Sequence, residues 1–282
     1  MSPSGTEVLT AATRALAAAG VPEPAGDARR LFSHALGLAS GRLTLVLPEP
    51  VDSTGLQIFD GLITRRCARE PVSQLIGYRA FYGRDFIVTS DVLDPRPETE
   101  TLIEAALALP FKHVLDLGTG SGCILLTLLA ENPSAQGVGA DLSSAAVRVA
   151  ARNARALDLS ARAAFVVSDW TRAVTGVFDL IVANPPYIAA NELDGLAPEV
   201  RDWEPRIALT DNADGLEAYR NILRSAPAFL MGHGRLIVEI GPTQATAVIE
   251  MALEAGFDRA SVICDLDGRD RVIVMTSAEI PF

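Results

Sequence analysis

The chain has 282 residues, 49% hydrophobic and 21% charged, a make-up that fits a globular protein with a full apolar interior. Its formal charge of -11 argues against a protein that grips DNA or ribosomal RNA by itself, because phosphate neutralisation dominates such binding. Cys67, Cys123, Cys264, His34, His113 and His233 lie scattered without metal-ligand spacing, so no metal site and no disulfide framework are expected, and a reducing cytoplasm is the expected compartment. No signal peptide is visible at the N-terminus, and no apolar run approaches the roughly 20 residues of a membrane span.

From Thr6 to about Arg69, apolar residues recur at helical spacing. Val8, Ala12, Ala15, Leu16 and Ala19 share one face, and Gly20-Val21-Pro22 ends that helix. Ala28, Leu31, Phe32, Ala35 and Leu36 mark a second helix, and Leu56, Phe59, Ile63 and Cys67 another. Residues 1–70 are therefore read as a small helical bundle whose apolar positions are explained by core packing. Residues 71–93 change character: strands over 74–78 and 81–88, with a turn between them, predict a linking β-hairpin. In Asp94-Pro95-Arg96-Pro97-Glu98-Thr99-Glu100 the prolines exclude regular structure until Glu98, and Thr99 and Glu100 can open a helix carrying Leu102, Ile103, Ala106 and Leu107. A proline-rich linker with solvated charges reads similarly.

From His113 the pattern alternates strand and helix. Strands are predicted over 113–117, 137–141, 164–168, 178–183 and 235–240, and two more close the chain over 260–263 and 272–275. Helices through Cys123 to Leu129, through Ala145, Val149 and Ala154, and through Leu216, Tyr219, Ile222 and Leu223 lie between them. Such alternation predicts an α/β domain over 94–282 with a mostly parallel sheet covered on both sides.

The candidate site residues stand at the carboxyl ends of these strands, where open α/β sheets bind ligands. Gly118-Thr119-Gly120-Ser121-Gly122 is a tight turn after the first strand that lets a ligand approach helix N–H groups. The glycine spacing is not the dinucleotide fingerprint, and no Lys-Ser or Lys-Thr follows as in a phosphate loop. Asp116 before the turn suits a cofactor carrying positive charge, such as the amino group of a methionine moiety. Asp141 ends the second strand, where an acid can accept both ribose hydroxyls, and Asp169-Trp170 follow the third, where an adenine ring would be flanked. Each strand-end Asp alone is equally read as a cap of the next helix. Together they point to S-adenosylmethionine.

The fourth strand stops on Asn184-Pro185-Pro186-Tyr187. Neither proline can donate a ladder bond, so the loop is stiff. The Asn184 carboxamide oxygen and the Pro185 carbonyl make a pair of acceptors for a planar –NH2 group, and Tyr187 offers a face for stacking. An ordinary proline turn ending a strand has the same letters.

Val114-Leu115-Asp116-Leu117-Gly118-Thr119-Gly120-Ser121-Gly122 together with Asn184-Pro185-Pro186-Tyr187 resembles Rossmann-like class I S-adenosylmethionine-dependent methyltransferases that act on amide or exocyclic amino nitrogens. Glu70-Pro71, Gly77, Phe81, Phe86, Val88 and Val92-Leu93, followed by Pro95-Arg96-Pro97-Glu98-Thr99-Glu100, resemble the HemK/PrmC family more specifically. The likeness continues through Asp214-Gly215-Leu216, Glu239-Ile240-Gly241 and Asp265-Leu266, with Asp94 standing where many relatives are expected to carry an apolar residue. It implies a Rossmann-like methyltransferase sheet with an N-terminal helical bundle that recognises the substrate. The implied reaction is transfer of a methyl group to the glutamine side-chain nitrogen of the Gly-Gly-Gln motif in peptide chain release factors. The cofactor contacts carried over fall on Gly118 to Gly122, Asp141, Trp170 and Asn184, and the glutamine-holding loop on Asn184, Pro185, Pro186 and Tyr187. Asn-Pro-Pro-Tyr by itself also fits an adenine DNA or guanine RNA methyltransferase, which is the alternative reading. A monomer with a release factor as its partner, and neither nucleic acid nor membrane, is expected.

Overall fold

The computed structural model describes residues 2–39 and 41–276. The chain divides into two compact units, Met1–Tyr78 with Ala197–Trp203, and Arg79–Leu196 with Glu204–Phe282.

The first unit is helical. Its helices Gly5–Ala18, Pro24–Ala35 and Ser53–Cys67 begin where the sequence supplies caps or a first-turn proline. Ser4 and Glu7 form a capping box, and Asp52 Oδ1 accepts from the Thr54 and Gly55 amides at 2.9 Å each. Leu16, Leu31, Phe32 and Phe59 are completely or almost completely buried, and the Phe32 and Phe59 rings meet edge-on with centroids 5.2 Å apart. Arg66 is buried between Asp27 (Nε to Oδ2, 2.8 Å) and Glu199 (Nη2 to Oε1, 2.8 Å), so the charge network joins the two chain segments of this unit.

One expected element differs. Residues 74–78 were predicted as a strand, whereas Val72–Ile76 is a short helix that Pro71 precedes and Gly77 terminates at φ +85°. Leu75 joins the buried core there, with Val72 and Ile76 packed against it. An apolar run this short satisfies both periods, and packing on the bundle decides for the helix. The hairpin itself is real but shorter and later: β1 (Tyr78–Phe81) pairs with β2 (Arg84–Ile87).

The second unit is built on a seven-stranded sheet of β3 (His113–Leu117), β4 (Gln136–Asp141), β5 (Ala163–Val167), β6 (Phe178–Ala183), β7 (Leu230–Glu239), β8 (Arg259–Cys264) and β9 (Asp270–Thr276). Their spatial order is β5-β4-β3-β6-β7-β9-β8. The first five run parallel, and β9 pairs antiparallel with both β7 and β8. Side chains alternate between the two faces, as the period of a strand requires. Leu115, Ile181, Ala183, Leu236 and Val238 meet the helix Glu217–Ser225 side of the core, while Val114, Leu180, Val182 and Ile237 meet Leu102, Ile103, Leu125 and Leu129 on the other.

The strand order reverses between β3 and β6. The carboxyl ends of these two neighbours therefore form the switch point at which open α/β sheets bind ligands. The glycine turn leaves one of them and Asn184 leaves the other.

Candidate active site

The site grows from the two loops at that switch point. Gly118 and Gly122 sit at φ +75° and +81°, in the left-handed region that side chains disfavour, and between them the turn folds back onto β4. The Gly118 and Thr119 amides donate to the Ala140 carbonyl at 2.8 and 3.0 Å. Asp141 then fixes the middle of the turn, its Oδ2 accepting from the Gly120 amide at 2.8 Å while Oδ1 accepts from the Ser143 amide at 2.8 Å. Ser143, not Asp141, caps the following helix Ser144–Ala156.

A cavity of about 320 Å³ opens over this turn. Gly118, Thr119, Gly120 and Ser121 line it together with Asp141, Asp169, Trp170, Asn184 and Pro186. The structure thus gathers most of the residues singled out from the sequence around one space. Trp170 is held at φ +50°, and the Ser168 hydroxyl secures this strained backbone by donating to the Trp170 carbonyl at 2.7 Å. Asp169 meets Arg172 at 2.9 Å on the surface side.

Four expected residues stand elsewhere. Gly122 lies behind the turn, where a Cβ would sit 3.2 Å from the Ala150 Cβ and 3.1 Å from Leu126 Cδ1. Asp116 is completely buried beneath the turn, outside the cavity lining. Its Oδ2 accepts from the Thr119 hydroxyl at 2.6 Å, and Oδ1 has no hydrogen-bond partner. Burial pushes this carboxyl up to about 7, against the pull of the Thr119 hydroxyl. Pro185 is buried, and the Tyr187 ring packs half-buried against the sheet core rather than facing the cavity. The Tyr187 carbonyl accepts from Gln244 Nε2 at 2.9 Å, and Gly215 passes so close that a Cβ there would lie 2.4 Å from the same oxygen.

Residues outside the carried-over contacts also build the site, among them Arg96 and Thr99 of the Pro95-Arg96-Pro97-Glu98-Thr99-Glu100 segment already singled out by its resemblance. Arg96 lines the cavity, and its Nη2 meets both carboxylate oxygens of buried Glu204 at 2.7 and 2.6 Å, which pins the Pro95-Arg96-Pro97 segment. Burial raises the Glu204 carboxyl to about 7 even so. Asn153 is completely buried; its Nδ2 donates to the Ser121 carbonyl at 2.8 Å and the Ile87 carbonyl at 3.0 Å, and its Oδ1 accepts from the Ile87 amide at 2.7 Å. Thr99 and Glu239 reach Asn184 through hydrogen bonds. Besides its place in the resemblance, the signal for Glu239 in the sequence is an acid set inside the apolar run Leu236-Ile237-Val238 and Ile240. Asp94 is buried with the Arg79 guanidinium 3.9 Å away, which accommodates the acid in place of an apolar residue. Burial pushes the Cys123 thiol up to about 12, so it stays protonated and offers no thiolate nucleophile.

The donor set fits S-adenosylmethionine. The turn brings backbone amides to the space, a buried carboxyl with an unpartnered oxygen lies beneath the turn, and a strand-end carboxylate and an indole also border the space. Among the described residues, no cluster of three or more His, Cys, Asp or Glu could hold a metal, and no helix is long and apolar enough to cross a membrane.

Fold and site together define a Rossmann-like class I methyltransferase. Residues 7–77 match the family model of the PrmC N-terminal domain and residues 89–198 that of the methyltransferase small domain. The chain is 55% identical to the release factor glutamine methyltransferase of Cereibacter sphaeroides over 98% of both chains. It is 47% identical to that of Rhodospirillum rubrum, over 92% of this chain and 81% of the relative. It belongs to the release factor glutamine methyltransferase family and is an S-adenosylmethionine-dependent enzyme of that class. Solved structures share the fold: a methyltransferase from Pyrococcus furiosus superposes with a TM-score of 0.55 at 15% identity, over 78% of this chain and 98% of that one. The hMettl16 catalytic domain, in complex with a 3'UTR hairpin, gives 0.58 at 14% identity over 77% and 81%. At these identities the likeness is one of fold, and the relatives similar along the whole chain do not favour a nucleobase as the acceptor.

Proposed function

We propose that this chain transfers a methyl group from S-adenosylmethionine to the side-chain amide nitrogen of the Gly-Gly-Gln glutamine of a peptide chain release factor. The observation that carries the reading is that Asn184 and the Gly118 to Ser121 turn border one cavity at the switch point, in a chain closely similar to release factor glutamine methyltransferases throughout.

When bound, the cofactor supplies an electrophilic methyl group on a sulfonium. The turn amides would hold its methionine end, with Asp116 bracing the turn from beneath through the Thr119 hydroxyl, Asp141 would hold its ribose, and Asp169 and Trp170 would flank its adenine. Asn184 Oδ1 accepts one amide hydrogen of the glutamine, and the backbone carbonyl of Pro185, whose ring is buried between cavity-lining Asn184 and Pro186, accepts the other. That nitrogen is a poor nucleophile because its lone pair is delocalised into the carbonyl. Positive charge would grow on it as the new N–C bond forms and the sulfur–methyl bond breaks with its electron pair left on sulfur, so the two acceptors stabilise the transition state more than the ground state. One N–H proton is released to water as transfer completes. Tyr187, packed on the core and tied to Gln244, stiffens the far end of the loop. The N-terminal bundle receives the protein substrate, and the enzyme works in the cytoplasm as a monomer.

Mass spectrometry of a purified release factor incubated with the enzyme and S-adenosylmethionine tests this. A gain of one methyl group mapped to the Gly-Gly-Gln glutamine is expected. Label appearing on DNA or RNA instead would overturn the substrate assignment.

A further inference from the structure

Beyond the loop itself, a buried relay runs behind Asn184. The Thr99 hydroxyl donates to Glu239 Oε2 at 2.6 Å, and Asn184 Nδ2 donates to Thr99 Oγ1 at 3.2 Å. Thr99 and Glu239 are 2% and 1% exposed, so solvent does not substitute for either bond. Thr99 comes from the 3₁₀ turn Pro97–Thr99, and Glu239 is the last residue of β7, beside β6.

We propose that Thr99 and Glu239 are positioning residues that set which end of the Asn184 carboxamide faces the substrate. The inference rests on the reading above, in which Asn184 Oδ1 accepts a glutamine N–H. A carboxylate can only accept, and a hydroxyl has one hydrogen. Once Thr99 has given that hydrogen to Glu239, its oxygen can only accept. The Asn184 side chain must then turn its NH2 group to Thr99, which leaves Oδ1 free for the cavity. A carboxamide rotated by half a turn has nearly the same shape but offers donors to a substrate that brings donors. The relay selects the productive rotamer before substrate arrives, a form of preorganised electrostatics.

The test compares Thr99→Val, Thr99→Ala, Thr99→Ser and Asn184→Ala in the full chain. The readouts are kcat and KM for a release factor, S-adenosylmethionine affinity by calorimetry, and the melting temperature. Thr99→Val and Thr99→Ala should lower kcat about 10- to 100-fold, with cofactor affinity within about 3-fold of wild type. Thr99→Ser, which keeps the hydroxyl, should recover kcat to within about 3-fold. Wild-type kcat in Thr99→Ala, or equal losses in Thr99→Ser and Thr99→Ala, overturns the relay. If Asn184→Ala alone collapses kcat, the relay fails while the loop assignment stands. If Asn184→Ala also turns over normally, the underlying reading of Asn184 fails. Thr99→Ala only removes atoms, so it keeps the comparison decisive should the valine variant not fold.

Discussion

The Gly120 amide donates to Asp141 Oδ2 at 2.8 Å, so the residue that ends β4 fixes the turn that leaves β3. The second Asp141 oxygen is held by the Ser143 amide, and the carboxylate therefore arrives in the cavity already oriented. Replacing it should damage the cofactor site more than the fold. Asp141→Ala removes two charge-assisted bonds and the proposed ribose acceptor, each such bond being worth about 1.5–3 kcal/mol. Calorimetry should show S-adenosylmethionine affinity reduced by about 10- to 100-fold. An affinity within about 2-fold of wild type would mean that the ribose is held elsewhere.

How much of this could be read from the sequence depends on the range of the interaction. β3 and β6 were legible because strands buried on both faces leave continuous apolar runs, and their ends were legible because Gly118 and Asn184 break those runs. The methyltransferase class followed from these local motifs, and the family from the more specific resemblance of Glu70 to Glu100. The position of β9 between β7 and β8 was not legible, since alternation of elements does not state strand order. Nor was the pairing of Thr99 with Glu239, which are 140 residues apart and meet where the helix Glu100–Leu107 that follows Thr99 packs in one core with Ile237 of β7. Asp116 was recognised as an acid but not as a buried one, and Tyr187 as an aromatic ring but not as one turned onto the core.

Asn153 serves three backbone groups at once, on β2's last residue and on Ser121 of the glycine turn. Asn153→Ala strands those groups, and leaving even one buried polar group unpaired costs about 1–3 kcal/mol. The variant should be destabilised by about 3 kcal/mol in denaturant unfolding and should bind cofactor more weakly. Asn153→Asp retains an acceptor for the Ile87 amide but loses both donated bonds, so it should be little better. Unchanged stability in Asn153→Ala would show that water replaces the side chain.

Asp116 links stability to pH. Burial raises its folded carboxyl to about 7 from an ordinary value of 3.8. The folded chain thus holds this proton more tightly than the unfolded chain. The stabilisation is complete below about 4 and is lost as pH rises through about 7, where the buried group must ionise. Asp116→Asn cannot ionise. Its melting temperature without cofactor should gain on wild type as pH rises from about 4 to 8, with the S-adenosylmethionine affinity reduced throughout. A constant difference between the two proteins across that range would mean Asp116 is already ionised when folded.

Glu239 titrates in the same range, but its effect should appear in turnover. Burial pushes its carboxyl up to about 7, opposed by the Thr99 hydroxyl and the positive charge of Arg271, with Arg96 and Glu98 also facing it and Tyr187, Tyr219 and Cys123 close by. As a carboxylate it takes the Thr99 hydrogen and keeps Asn184 Oδ1 toward the cavity. Once protonated it can donate to Thr99 Oγ1, which frees the hydroxyl hydrogen for Asn184 Oδ1 and lets the carboxamide turn round. At saturating cofactor, kcat should therefore rise with pH through about 7 and fall on the acid side. Glu239→Gln has no proton to gain there, so its profile should be flat across this range, at a lower plateau because its amide permits both Asn184 rotamers. An acid limb that persists unchanged in Glu239→Gln would assign it to Glu204 or Asp116, the other two carboxyls of the site raised to about 7.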